Sequence, residues 1–217
     1  ALPDTAQAWD LGAEGSTLYV ATERSGLFRS DTGGAPWTDV SGAFPQRDVG
    51  RERIRSVDAV GDVVLAGVDG SSIWRSPDRG ATWTAVPLSD DVRRIHDLLH
   101  VEGTAYAATN AGIYRSTDAG QSWARFSDGL PTVLGQPWEV DVLRADDGLV
   151  LAGTRGEGVF RLDGTRWQPL GPSPASPSTD RPALIDTVPV QAMALTDDAL
   201  YISLGDDGIY RRARPLP

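Results

Sequence analysis

Five polar residues stand at equivalent places in the chain, each as the second residue of a short, mostly apolar run. They are Gln7, Arg55, His96, Glu139 and Gln191. If these runs are equivalent strands that lie side by side, the five side chains reach one depth and form a ring at the mouth of a channel. Such a ring predicts a small-molecule or ion site. The alternative is a wet channel whose polar lining binds no ligand.

A second set of candidates consists of arginines in two loops of an otherwise acidic protein. The loops span residues 41–55 and 87–96, and besides Arg55 their arginines are Arg47, Arg51, Arg53, Arg93 and Arg94. Because a guanidinium binds planar anions through two parallel hydrogen bonds, these residues suit a carboxylate or phosphate. The competing interpretation pairs them with nearby acidic residues, namely Asp48, Glu52, Asp90 and Asp91.

Carboxylates in the same runs are the candidates for acid–base chemistry on a glycosidic bond. They are Asp58, Asp97, Glu139 and Asp141, and their staggered positions mean that only some can face a common channel. Serine-hydrolase chemistry has only His96 and His100 available, with no Gly-x-Ser-x-Gly motif. The two histidines share a strand face, but the pattern supplies no third metal ligand. We therefore predict neither a metal nor another cofactor.

Composition limits the classes of partner. The net charge is −10 and all basic residues are Arg, so the surface repels nucleic acid, whose binding requires neutralised phosphates. Cysteine is absent, and no apolar run approaches the roughly 18 residues of a membrane span. The chain starts with Ala, and "ALPDT" lacks the regions of a signal peptide. We expect that the start has been processed or cut away.

These residues are carried by a repeat. The phrase "IWRSPDRGATW" at 73–83 returns as "IYRSTDAGQSW" at 113–123, with weaker copies from Gly26, Gly158 and Gly208. Each copy follows a short alternating run such as "TLYVAT", and a further run lies upstream. A period of about forty residues, built from short strands with Gly and Asp at the turns, is typical of a β-propeller.

Five repeats predict an all-β, five-bladed propeller of four-stranded antiparallel blades in a single domain, 1–217. The blades are expected near 6–40, 54–86, 95–126, 138–170 and 190–214. The last repeat has no fourth run, and two of the final three residues are Pro, which cannot donate to a ladder. We therefore predict three strands, or a rudimentary fourth, in blade five.

The segments "SPDRGATW" (76–83) and "STDAGQSW" (116–123) resemble the Asp-box, or BNR repeat, of sialidases, sortilin-like receptors and photosystem assembly propellers. In the first blade "SDTGGAPW" departs from that pattern at Thr32 and Pro36. The resemblance implies that the box is a structural hairpin on the side away from the binding face. We predict that the defining residues of the two boxes have a structural role, and the alternative is that they bind a ligand or calcium. They are Asp78, Gly80, Trp83, Asp118, Gly120 and Trp123.

The functional prediction is a non-catalytic propeller that binds a protein or a carbohydrate through its top face. That face is formed by loops joining consecutive blades, including 127–139 and 169–191, and by the turns between middle strands. The resemblance implies an extracellular, periplasmic or envelope location, and we expect a monomer or weak dimer without membrane insertion. The alternative is a glycoside hydrolase, although a sialidase-like Arg-Ile-Pro motif and a sixth blade are missing from the sequence.

Overall fold

Every regular element among the described residues is a β-strand, and the strands form the blades of an all-β, five-bladed propeller. The computed structural model describes residues 2, 6–42, 44, 46, 47, 50, 51, 53–170, 189–204 and 208–214. Four blades are four-stranded antiparallel sheets, and the fifth has three strands. The predicted fold class is therefore confirmed, including the short last blade. Within these ranges no helix has the length and apolar character to cross a membrane.

Strands that are consecutive in the chain are neighbours in each blade. The first blade contains β1 (Ala8–Glu14), β2 (Thr17–Thr22), β3 (Leu27–Ser30) and β4 (Thr38–Asp39). A small hairpin of β5 (Gln46–Arg47) and β6 (Gly50–Arg51) follows. The second blade contains β7 (Ile54–Val60), β8 (Val63–Val68), β9 (Ser72–Ser76) and β10 (Thr84–Pro87).

The later blades repeat this order. The third contains β11 (Ile95–Val101), β12 (Thr104–Thr109), β13 (Gly112–Ser116) and β14 (Ala124–Arg125), followed by a hairpin of β15 (Thr132–Val133) and β16 (Gln136–Pro137). The fourth contains β17 (Val140–Asp146), β18 (Leu149–Thr154), β19 (Val159–Asp163) and β20 (Arg166–Pro169). The fifth contains β21 (Ala192–Leu195), β22 (Ala199–Ser203) and β23 (Ile209–Ala213).

The chain divides into two compact units, and the division runs through the third blade. The first unit comprises Ala1–Ala107 and Arg115–Ala124, and the second comprises Ala108–Tyr114 and Arg125–Pro217. Each unit has a hydrophobic core of its own. Fully buried members of the first core are Tyr19, Leu27 and Ile54, and those of the second are Leu151, Leu200 and Leu204.

The second strands of the blades are buried along nearly their whole length, whereas their sequences suggested alternation. Five of the six residues of β8 and of β18 are fully buried. Small residues allow this burial because they let the next sheet approach closely. A Cβ on Gly67 would lie 2.7 Å from Ile95 Cγ2, and one on Gly153 would lie 2.6 Å from Val190 Cγ1.

The two complete Ser-x-Asp-x-Gly-x-Thr/Ser-Trp loops use their polar groups internally. In the second blade Ser76 Oγ accepts from Gly80 N at 2.7 Å and donates to Asp78 Oδ1 at 2.8 Å. Asp78 also accepts from the backbone N–H and the hydroxyl of Thr82, at 2.7 and 2.6 Å. The loop of the third blade repeats all four bonds. These contacts agree with the scaffolding interpretation.

The same loops pack against the blade that precedes them. Gly80 has φ +90°, and a Cβ there would lie 3.0 Å from Val40 Cβ. The indole of Trp83 donates to Val40 O at 2.8 Å. In the fourth blade Trp167 is fully buried and donates to Phe126 O at 2.8 Å. A bond from an indole to an upstream carbonyl therefore links adjacent sheets at Trp83 and Trp167, whereas Trp123 Nε1 has no hydrogen-bond partner among the described residues.

The fourth blade replaces the eight-residue loop by a tight turn. Asp163 still belongs to the ladder and pairs with Arg166. The two turn residues are therefore Gly164 and Thr165. Gly164 has φ +61°, as the first central position of a type II′ hairpin turn requires.

Replacement of Trp167 by Ala should lower the free energy of unfolding by about 3–5 kcal/mol, because a fully buried indole is lost. Trp167→Phe retains most of the packing and should cost less, since it removes chiefly the bond to Phe126 O. Urea denaturation followed by circular dichroism measures both. Trp37→Ala, at a half-buried indole, is the control. A loss below about 1 kcal/mol in Trp167→Ala would contradict the assigned packing.

Asp118→Asn should destabilise the protein at neutral pH and lose its effect in acid. Hydrogen bonds from Ser122, and then from Ser116, lower the pKa of Asp118 to about 2. The folded state thus favours the carboxylate, and this stabilisation is present above about pH 4 and is lost as the pH falls towards 2. Thermal midpoints measured across this range, with the exposed Asp128→Asn as control, test the trend. Equal effects in acid and at neutral pH would refute it.

Candidate functional site

The five residues of the predicted ring do not share one strand position. Arg55 and His96 are the second residues of β7 and β11, whereas Gln7, Glu139 and Gln191 each precede a strand. Ile54 pairs with Val68 and Val140 pairs with Thr154. By this register the counterpart of Arg55 is Asp141, not Glu139.

The same register makes Trp9, not Gln7, the counterpart of Arg55, because Ala8 pairs with Thr22. A bulge follows the first pair in β1, β7 and β17. Because a bulge adds one residue to one strand, the start of an inner strand is poorly defined by its sequence pattern. Ligand binding by the five predicted residues stays a prediction.

In the first unit Arg55 and Arg53 are engaged in ion pairs. Arg55 donates through Nε and Nη2 to the carboxylate of Asp69, and its guanidinium lies 4.6 Å from the ring centre of Trp9. Arg53 Nη2 lies 3.3 Å from Glu23 Oε1. Pairing with acidic residues was the competing interpretation, but these partners come from other loops than the ones suggested.

The remaining candidate arginines do not form an anion site within the part of the chain that the structure describes. Arg93 is exposed and donates through Nη1 to the carbonyls of Asp90 and Val92. Arg94 is also exposed and has interactions of its own. Arg47 and Arg51 lie in β5 and β6, and their side chains lie outside the described part of the chain. Their proposed anion binding stays a prediction.

The second unit contains an open pocket of about 260 Å³. Its wall is formed by Asn110, Val133, Gln136, Pro137, Trp138, Glu139 and Arg155. These residues come from the β12–β13 turn, the β15–β16 hairpin, the start of β17 and the end of β18. In an antiparallel blade this end is opposite to the β17–β18 and β19–β20 turns. The pocket therefore lies at the end where the top-face loops were expected.

Arg155 is the centre of the charges at this pocket. Its Nη2 lies 2.7 Å from Asp141 Oδ1, and its Nε lies 3.0 Å from Asp141 Oδ2. Nη1 lies 3.5 Å from Glu139 Oε1. The hydrogen bonds with Asp141 raise the pKa of Arg155 above its usual value. Because its charge is already balanced by two carboxylates, the guanidinium is poorly suited to capture a free anion.

Trp138 forms an aromatic part of the pocket wall and has a defined position. Its indole Nε1 donates to Arg155 O at 3.0 Å, and its backbone N–H donates to Pro131 O at 2.9 Å. Arg155 N in turn donates to Glu139 O at 3.0 Å. Hydrogen bonds to the backbone thus connect the residues that carry the indole (Trp138), the carboxylate (Glu139) and the guanidinium (Arg155). The relative positions of these groups therefore do not depend on side-chain packing alone.

The β15–β16 hairpin forms the outer wall. Thr132 pairs with Pro137 and Val133 pairs with Gln136, with Leu134 and Gly135 at the tip. Both tip residues have positive φ, +50° and +79°, as a type I′ turn requires. Leu134 is fully exposed.

Glycine at 112 lets this hairpin approach the third blade. A Cβ on Gly112 would lie 2.4 Å from Ser127 Oγ and 2.7 Å from Pro137 Cβ. Ser127 Oγ also accepts from Ile113 N at 2.9 Å. This bond holds the segment that leads to the hairpin against β13.

A threonine motif beside the pocket was missed in the sequence. At the end of the second strand of the first, third and fourth blades, a buried Thr hydroxyl donates a hydrogen bond to the carbonyl of a following Gly. The pairs are Thr109 with Gly112 and Thr154 with Gly158, both at 2.8 Å, and Thr22 with Gly26 at 2.6 Å. The signal was present as a recurrent Thr three or four residues before Gly. It orders the β12–β13 and β18–β19 turns, which carry Asn110 and Arg155.

The candidate acids fall into two groups. Glu139 and Asp141 lie beside Arg155 in the second unit. Asp58 and Asp97 lie in the first unit, where burial raises the pKa of Asp58 to about 7. Asp58 borders a cavity of only about 10 Å³, which is too small for a sugar ring. A raised pKa is a property of a general acid, but the position of this carboxyl excludes a saccharide.

Comparisons with known proteins give partial matches. No protein-family model matches the chain. Over 121 residues it is 33% identical to a xyloglucanase from Hypocrea jecorina (strain QM6a), and this segment is 54% of the chain and 14% of that enzyme. The chain thus spans a small part of the length of the curated relative that it matches.

Two solved structures resemble it along most of its length. YCF48 bound to D1 peptide has a TM-score of 0.67, 20% identity and coverage of 97% of this chain and 64% of that one. A GH74 xyloglucanase from Xanthomonas campestris has a TM-score of 0.64, 22% identity and coverage of 91% and 34%. At these identities the likeness shows the propeller fold alone.

Gly112→Ala should destabilise the protein by about 1–3 kcal/mol, because the added Cβ meets Ser127 and Pro137 at a positive φ. Gly135→Ala is a matched control, since Gly135 also has positive φ but has no atom within 4 Å of an added Cβ. Urea denaturation of both variants separates the steric clash from the backbone strain. Equal losses would mean that the hairpin yields without cost and that the contact at Gly112 is unimportant.

Proposed function

We propose that the protein is a non-catalytic carbohydrate-binding propeller, and that the pocket at Trp138 holds a saccharide unit. The observation that carries this proposal is the combination of a fixed indole with amide, carboxylate and guanidinium groups around an open pocket of about 260 Å³. That volume is slightly below the roughly 300–1,000 Å³ of sites for drug-sized ligands, and it suits a small polar ring.

The chemistry of the wall matches a sugar better than it matches an anion. Sugar hydroxyls donate and accept hydrogen bonds, and the side chains of Asn110, Gln136 and Glu139 supply both kinds of partner. The C–H face of a sugar ring packs on aromatic surface, which Trp138 supplies. Arg155 is balanced by Glu139 and Asp141, so a charged ligand gains little from it.

The partial identity to a xyloglucanase supports a plant-type β-glucan as the ligand to test first. Such a ligand would place the protein outside the cytoplasm, in keeping with an extracellular, periplasmic or envelope location. The likeness to YCF48 bound to D1 peptide supports a peptide as the other binding partner to test.

A glycoside hydrolase is the second candidate function, favoured by the same xyloglucanase identity. Glycosidases need a protonated carboxyl and a second carboxylate on either side of the bond. Of the two nearby candidates, Glu139 borders the pocket, whereas Asp141 is not part of its wall and is hydrogen-bonded to Arg155. The arrangement therefore supports binding more than it supports catalysis.

Trp138→Ala should weaken binding of xyloglucan oligosaccharides by about tenfold or more, because losing about 1.4 kcal/mol of ring contact corresponds to a factor of ten. Isothermal titration calorimetry measures the change. Trp37→Ala, at an indole of the first unit that does not line this pocket, should leave the affinity unaltered. Circular dichroism verifies that both variants are folded.

Reducing-end release from xyloglucan tests the catalytic alternative directly. We expect no release above the blank for the wild-type chain. Release that Glu139→Gln abolishes would overturn the non-catalytic assignment. Saturable binding of a peptide but of no glycan, with the same loss in Trp138→Ala, would keep the pocket and overturn the carbohydrate ligand.

A further inference from the structure

The first unit contains a second, much smaller cavity that is separate from the proposed saccharide pocket. It has a volume of about 10 Å³ and lies among β7, β8, β11 and β12. Its walls are apolar, as at Leu65 and Ala105, apart from Asp58 on β7 and His100 on β11. Two ionisable side chains from neighbouring inner strands therefore border the same small space.

Both of these side chains have a buried atom without a hydrogen-bond partner among the described residues. The atoms are Asp58 Oδ2 and His100 Nε2. A buried polar group with no partner costs several kcal/mol of desolvation in general, so such atoms in folded proteins are normally satisfied by protein or by water. The pair therefore calls for a ligand that is polar, small and able to both accept and donate.

The size of the cavity restricts that ligand. About 10–15 Å³ of space is needed for one water molecule. The cavity is at the lower limit of this range, so it admits a single water and excludes a phosphate or a saccharide. A metal ion would have only two protein ligands here, fewer than a protein site normally supplies.

We propose that this cavity binds one water molecule that bridges Asp58 Oδ2 and His100 Nε2 and joins the second and third inner strands. In the neutral state the Asp58 carboxyl donates its proton to the water oxygen. The water donates one of its hydrogens to the Nε2 lone pair of His100, which is then the Nδ1–H tautomer. Asp58 Oδ2 and His100 Nε2 are then both hydrogen-bonded, and no net charge is buried.

The electrostatic surroundings favour this neutral state. Burial is the main cause that raises the pKa of Asp58 to about 7. The carboxylates that face it add to the effect, namely Asp97 on β11 together with Asp10 and Glu14 on β1. Because the folded pKa is raised, the stabilisation is complete below about pH 4 and is lost as the pH rises towards 7. The bridge thus makes the packing of these strands sensitive to pH.

Nitrogen-resolved NMR of the full chain tests the bridge without altering it. The expected result is an unprotonated Nε2 on His100 together with a magnetisation transfer from a long-lived water to the His100 ring. A protonated Nε2, or a ring that receives no transfer from water, would overturn the proposal. A change of the His100 signals on adding a chelator would show a metal ion in place of water and would also overturn it.

Asp58→Asn tests the pH dependence, because the amide has the same shape but does not titrate. Over the range from about pH 4 to about pH 7, the wild-type unfolding constant should rise relative to the variant's by up to about tenfold per pH unit. Asp97→Asn removes a neighbouring charge and should keep the steep dependence at a shifted midpoint. Parallel pH profiles for wild type and Asp58→Asn would refute the assignment.

Discussion

Close contact between consecutive sheets is the constraint on which the rest of this structure depends. The first four blades bury five of the six residues of the second strand, so the residues at the contact must be small or must bond across it. Gly67 and Gly153 provide the space, and Trp83 and Trp167 bond across it to carbonyls of the upstream blade. The eight-residue loops serve the same contact, since Asp78 and its counterpart Asp118 order the turn that delivers the indole.

The two ends of the blades differ in their hydrogen bonding. One end of the second and third blades holds loops whose hydrogen-bonding groups are used internally. The other end of the first, third and fourth blades holds turns that are ordered by a bond from Thr to Gly. The pocket at Trp138 lies at the second end. Arg155 is paired with both Glu139 and Asp141, so its guanidinium offers no uncompensated positive charge to an anionic ligand.

The architecture could be predicted from the sequence because the residues at blade contacts recur in it. Gly, Asp and Trp return in most of the repeats, and the last repeat, which lacks a fourth run, was correctly predicted to form a three-stranded blade. The site could not be predicted as well. Bulges at Ala8, Ile54 and Val140 shift the starts of the inner strands, so Glu139 and Gln7 were aligned with the wrong neighbours. One wall of the pocket is a hairpin within residues 127–139, whereas the sequence of this segment predicted an irregular loop. Ion pairs such as that of Arg55 with Asp69 join residues that only the ladder brings together.

The β15–β16 hairpin has a consequence for how such a protein diverges. Its ladder is closed on itself, with Thr132 opposite Pro137 and Val133 opposite Gln136, and it forms a two-stranded sheet of its own. Its length and sequence can therefore change without disturbing a blade, provided that the approach at Gly112 is kept. Changes in the hairpin can then reshape one wall of the pocket while Asn110 and Arg155, which belong to blade turns, stay in place. That wall can evolve at a different rate from the repeats that form the blades.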